Sequence, residues 1–280
     1  GESPSSWAEL LDDTSSGAGD GGDGRTWQEL SGVEQAAACR LGYSDLTWDS
    51  VEAADVHAYV RDFCGSGFDA CITSGCDEYS LPDTVKLVQE HPKVFASFGC
   101  HPKNAWRYDQ AFERDLLEAF ATCDGKAVAW GELGLDYSLP HWGHRLDYRR
   151  QQVEVFCRQL DLALERGLPL VLHIRNGADD TCAQEDALCV IRQRVPQHWK
   201  AHVHGNHCVE LARQLLASWP NFFFGLTGTV TMGGDGEEMC LLVPLERLLL
   251  ETDGPYLAPR GSILNHVGQI PFLARQVALL

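Results

Sequence analysis

Residues 165–175 read Glu-Arg-Gly-Leu-Pro-Leu-Val-Leu-His-Ile-Arg (ERGLPLVLHIR), and this short stretch decides the fold class. Glu165 and Arg166 close a helical pattern over Arg145–Arg166. Gly167 stands just past the helix end and Pro169 follows it, a pairing that stops a helix cleanly. Leu168–Ile174 is then an apolar run of strand length, finishing on an imidazole and a guanidinium, His173 and Arg175. Helix, stop, strand and ionisable tip form one unit.

The unit repeats from Phe68 onward. Strands are expected at Ala70–Ser74, Val94–Gly99, Ala127–Leu133, Lys200–His204, Phe222–Leu226 and Leu248–Thr252 as well. Helical patterns lie between them at Leu81–Glu90, Ala111–Ala121, Asp186–Arg194, Val209–Ser218 and Glu237–Leu242, and a last one covers Pro271–Leu280. Such alternation implies right-handed βαβ units and a parallel sheet. No Gly-rich nucleotide fingerprint follows any strand, which argues against a dinucleotide-binding sheet. The expectation is an α/β fold of the TIM (β/α)8-type barrel, incomplete: no first strand is recognisable and the last helix is cut short.

The 280 residues carry a formal net charge of −18, of which −10 falls in residues 1–55. Ser15–Gly24 (SSGAGDGGDG) is low-complexity sequence with little apolar surface to bury. The domain expectation is therefore an acidic, partly disordered leader over 1–62 and a barrel over 63–280. No segment is a basic nucleic-acid footprint, so phosphate chemistry here needs metal ions or a few placed cations. No apolar run approaches the ~20 residues of a membrane span. Eleven cysteines without a Cys-x-x-Cys pair or a signal pattern favour reduced thiols and an intracellular setting, cytoplasmic or nuclear.

In parallel α/β folds the ligand site lies beyond the carboxyl ends of the strands. Those ends carry His101, Glu132, His173 with Arg175, His202 with His204, and Glu251 with Asp253. Each alone is as well explained by a structural hydrogen bond or a solvated tip. Four or five in register point to a site, because Glu, His and Asp are the ligands of hydrolytic divalent-metal centres. His204, nearer its strand end than His202, is the better ligand candidate of that pair. Arg175 shares the face of His173 and could clamp a phosphoryl oxygen, or could pair with Asp179 or Asp180. His101 could bind phosphate or merely cap a loop, and Lys103 reads as a surface charge.

GCHP (99–102), GELGLDY (131–137), LVLHIR (170–175), the strand ending in His204 and LLLETDGPYLAPRG (248–261) together resemble the TatD family of metal-dependent deoxyribonucleases. Asn265-His266 fits the same pattern. The resemblance covers about residues 68–280 and implies a TIM barrel related to the amidohydrolases. It also implies two divalent ions, Mg²⁺ or Mn²⁺ with Zn²⁺ as a third option. Glu132, His173, His204 and Asp253 would be the metal ligands, Glu132 as the bridge. Glu132 and Asp253 would be the catalytic pair, Asp253 orienting or deprotonating the attacking water. His101 and Arg175 would hold the substrate phosphate. The implied reaction is hydrolysis of DNA phosphodiesters from a 3′ end.

Two departures stand out. The family's first strand carries an Asp-x-His-x-His run, whereas the first histidine here, His57, lies in a helical stretch. The run after His204 reads Gly-Asn-His207-Cys208, where the family has Cys-Phe-Ser/Thr-Gly. The missing motif predicts weak or absent activity for this chain, either as a truncated enzyme or as a diverged one. Two other readings compete. One is a metal-dependent amidohydrolase of a small cyclic amide, which a lumenal Lys would favour; Lys200 sits at the wrong strand end. The other is a catalytically dead barrel serving as an interaction module.

Overall fold

The computed structural model describes residues 69–139, 142–177, 182–205, 208–260, 262 and 265–280. The expected leader over 1–62 and the question of a first strand lie outside these residues. The chain divides into two compact units. The larger takes in residues 70–226 and 233–250, and the smaller includes 227–232 and 251–279.

The larger unit is built on seven parallel strands hydrogen-bonded in chain order. These are β1 (Cys71–Gly75), β2 (Val94–Phe98), β3 (Ala127–Asp136), β4 (Leu170–Arg175), β5 (Ala201–His204), β6 (Phe222–Leu226) and β7 (Leu248–Leu250). A helix fills each crossover: α1 (Ser80–Glu90), α2 (Gln110–Thr122), α3 (Leu146–Glu165), α4 (Ala183–Arg194), α5 (Val209–Ser218) and α6 (Asp235–Leu242). Strictly sequential parallel order belongs to the (β/α) barrel; a doubly wound sheet would reverse its order once. Every expected strand forms.

The local reasons are plain in α2. Phe112, Leu116 and Ala119 recur at helical spacing and are buried, while the Asp109 carboxylate caps the first turn by accepting from Ala111 N and Phe112 N. Inside, Trp130, Leu133, Leu135, Leu170, Leu172, Phe222 and Phe224 are fully buried. Each such side chain contributes about 1.5–3 kcal/mol. Two buried glutamines on α3 then fix the strand ends. Gln159 accepts from Cys100 N (2.7 Å) and Trp130 Nε1 (3.1 Å) and donates to Cys100 O (3.0 Å). Gln152, two turns earlier, accepts from Asp136 N and donates to Asp136 O, both at 2.8 Å.

The structure corrects the expected boundaries at two places near the strand tips. β3 continues three residues past Leu133, to Asp136. Gly134 permits this, since its φ is +149° and a Cβ there would meet His173 O at 1.9 Å. A 3₁₀ helix, Pro102–Arg107, occupies what reads as loop after β2, with Pro102 at its first position. Between β6 and β7, the smaller unit receives the 3₁₀ turn Gly228–Thr231; later come Val267–Gln269 and α7 (Ile270–Leu279). Among the described residues no helix is long and apolar enough to cross a membrane.

Candidate metal centre

Four of the expected site residues converge at the carboxyl ends of β2 to β5. Glu132 owes its aim to a register shift: Gly131 pairs with Val171 and Leu133 with Leu172, so Glu132 has no partner across the ladder. A bulge of this kind turns a side chain out of strand alternation. The Glu132 Oε2 atom lies 3.5 Å from His173 Nδ1, 3.9 Å from His101 Nε2 and 3.9 Å from His204 Nε2. His173 and His204 are directly paired residues of β4 and β5. Donor atoms of one ion with bonds of about 2.1 Å stand roughly 3.0–3.4 Å apart, so the cluster is slightly wider than a ligand shell.

His173 is the best-defined donor. Its Nε2 bonds to Asp136 Oδ2 at 2.9 Å, which leaves Nδ1 toward Glu132. That Nδ1 is buried and makes no hydrogen bond of good geometry among the described residues. A buried imidazole nitrogen 3.5 Å from a carboxylate fits a divalent cation between them once its proton has left. Burial lowers the His173 pKa, but the hydrogen bond to Asp136 and the negative charge of Glu132 outweigh it and the net shift is upward. For Glu132 burial acts upward, while His204, His173 and His101 hold the carboxyl far below its ordinary range.

His101 is held differently. Its Nδ1 accepts from Lys103 N at 3.1 Å, so in the neutral ring the proton sits on Nε2. Burial, and then repulsion from His173, push its pKa down to about 3. A neutral ring with Nε2–H toward the cluster is a donor to an anion rather than a metal ligand.

Behind these groups lies a support that the sequence did not disclose. Asp136 is fully buried, accepts from Ser138 N (2.8 Å) and Ser138 Oγ (2.5 Å), and has Lys103 Nζ 3.5 Å away. Lys103, expected as a surface charge, thus turns inward to this carboxylate. Cys76, just after β1, accepts from Glu132 N through its thiol at 3.2 Å. Burial first, and then the Glu132 charge, push that thiol's pKa well up.

The remaining expected residues are placed less directly. Arg175 and Asn176 line a cavity of about 480 Å³ with Gln184, Cys208, Asp235 and Glu238. Asp179, Asp180 and His207 lie outside the described residues. The His202 ring stands edge-on to His204 at 5.9 Å. Asp253 belongs to the smaller unit, where its φ of +56° is a strained conformation of the kind that gathers at functional sites. The Asn265 side-chain amide donates to the carbonyls of Thr252 and Tyr256, bracketing that turn.

A family model described as TatD related DNase matches residues 44–280. The human protein named "3'-5' RNA nuclease TATDN2" is 38% identical over 231 residues, or 78% of this chain and 28% of that protein. The chain therefore spans little more than a quarter of this relative. The Erwinia tasmaniensis protein named "3'-5' ssDNA/RNA exonuclease TatD" is 30% identical over 243 residues, 81% of this chain and 86% of its own. Among solved structures, the TatD homologue YJJV of Escherichia coli K12 superposes with a TM-score of 0.69, covering 82% of this chain and 85% of its own. At 21% identity that likeness speaks for the fold, a TIM-barrel-like one.

Proposed function

The chain belongs to the TatD-related DNase family, and from that premise we propose that it hydrolyses phosphodiester bonds of DNA or RNA from a 3′ end. The catalytic part is the barrel region, 63–280. The reading is carried by one observation, the three imidazoles around Glu132 Oε2 with the buried Nδ1 of His173 facing it.

Glu132, His173 and His204 would hold the cation; for Asp253 a ligand role rests on its sequence motif and on its strained backbone. Two ions, Mg²⁺ or Mn²⁺, are what the family pattern implies, and the imidazoles of the donor set suit Zn²⁺ as well. When bound, such ions polarise the phosphoryl group and acidify the attacking water. Glu132 balances their charge at the centre. His101 donates its Nε2 proton to a phosphoryl oxygen, and Arg175 holds a neighbouring one. On the family's pattern Asp253 would accept the water's proton. Asp136 keeps the His173 ring oriented, as carboxylates behind metal-bound histidines do.

Two outcomes follow for metal binding. Asp136→Asn removes the anionic partner of His173 Nε2, so the Mn²⁺ dissociation constant rises about 10- to 100-fold by calorimetry. Second, a proton on His173 must leave when an ion binds, because its pKa is raised in the metal-free protein. Affinity therefore falls as pH falls, approaching tenfold per unit below the His173 pKa, and proton release accompanies binding. Buffer-dependent binding heats measure that release.

The function itself is tested on single-stranded oligonucleotides labelled at the 5′ end, with Mn²⁺ or Mg²⁺ and with a chelator. A ladder shortening stepwise from the 3′ end, lost on chelation, is expected. Absence of hydrolysis of both DNA and RNA under all conditions contradicts the reading. A cyclic-amide hydrolase would leave both strands intact and open the amide instead.

A further inference from the structure

Two loops at the carboxyl ends of the strands carry aromatic rings that the core does not use. Tyr79, after β1, is 46% exposed, and Trp106, in the 3₁₀ helix after β2, is 58% exposed. One guanidinium joins them: Arg107 Cζ lies 4.6 Å from the Trp106 ring centroid and 5.5 Å from that of Tyr79. Arg107 also pairs with Glu78, which balances its charge locally. What remains is flat π surface rather than a cationic patch. Bases of a single strand stack on aromatic rings and on guanidinium planes with little regard to base identity.

The rings are mounted beside the candidate centre. Trp106 comes five residues after His101 along the 3₁₀ helix. At ~2 Å per residue that is about 10 Å, or about three nucleotides stacked ~3.4 Å apart. The loop bearing Tyr79 is stiffened by Asp77, whose Oδ1 accepts from Tyr79 N (3.0 Å) and Ser80 N (2.7 Å). Its Oδ2 lies 3.5 Å from Asn104 Nδ2 on the 3₁₀ helix, joining the two loops.

We propose that Tyr79, Trp106 and Arg107 form a base-stacking platform that grips a single strand a few nucleotides upstream of the scissile phosphate. The proposal rests on the nuclease reading of the neighbouring centre and adds where the strand is held. It predicts that grip depends on bases at the platform and little on their identity.

The test uses the full chain, Trp106→Ala and Trp106→Phe, with two 5′-labelled single strands. One is an all-base oligonucleotide, and the other lacks bases at the third to fifth positions from the 3′ end. Trp106→Ala is expected to raise KM for the all-base strand about 5- to 150-fold, with the loss confined to KM and restored by Phe. Wild type and Trp106→Ala are expected to converge on the strand lacking bases. An unaltered KM in Trp106→Ala, or the same loss on both strands, overturns the platform. Fluorescence anisotropy of the metal-free proteins separates this from failure of the nuclease reading. Weaker oligonucleotide binding in Trp106→Ala supports the platform even where no hydrolysis occurs. Equal binding, or none by wild type, overturns it.

Discussion

Glu132→Gln is expected to abolish phosphodiester hydrolysis. The substitution keeps the size of the side chain and its place in the bulge after Gly131, so the strand ends should be unaltered. What it removes is the negative charge at the centre of three imidazoles. Several kcal/mol of metal-borne charge stabilisation depend on that carboxylate, which corresponds to about 10³-fold in kcat/KM. The assay is 3′ processing of a labelled oligonucleotide under saturating Mn²⁺, with circular dichroism to verify the fold. Turnover within a few-fold of wild type would remove Glu132 from the site.

His101→Ala gives the second large effect and separates two roles that lie close together in space. His101 is within reach of Glu132 and His173, and all three form one possible ligand group. Its Nδ1 is occupied by the Lys103 amide, however, so its Nε2 carries the proton. A donor to the phosphate, not an ion ligand, is what that ring can be. The variant should therefore lose about 10²–10³-fold in kcat, as for loss of a single preorganised donor, while its Mn²⁺ dissociation constant stays within a few-fold. A large fall in metal affinity would instead make His101 a ligand. The two measurements on one variant distinguish the assignments.

The parts of this centre that are legible in the sequence are those that strand periodicity carries. An apolar run of known polarity ends somewhere definite, and His101, Glu132, His173 and His204 stand at those ends. The grouping of their side chains follows once the strands lie parallel and in order. The bulge at Glu132 has only Gly131 as a sign, and its effect depends on pairing with β4. The supports are harder to read, because they join elements far apart in the chain. Lys103 reaches Asp136 across 33 positions, and only because Pro102–Arg107 coils into a 3₁₀ helix. Gln152 and Gln159 look like the polar face of a helix until their amides are found buried against Asp136 and Cys100. Nothing local in the sequence marks Cys76 as the acceptor of the Glu132 amide, 56 residues away. Asp253 shows the opposite case: its motif is distinctive in sequence, and its role rests on that motif and on its strained backbone.

We place a divalent cation between Glu132 and His173. Anomalous diffraction from crystals of the full chain grown with Mn²⁺ would locate it. The expected result is a manganese peak bonded to the Glu132 carboxylate and to His173 Nδ1, lost in Glu132→Gln. A fully occupied manganese elsewhere with none at this position, or a peak that persists unaltered in Glu132→Gln, would contradict it.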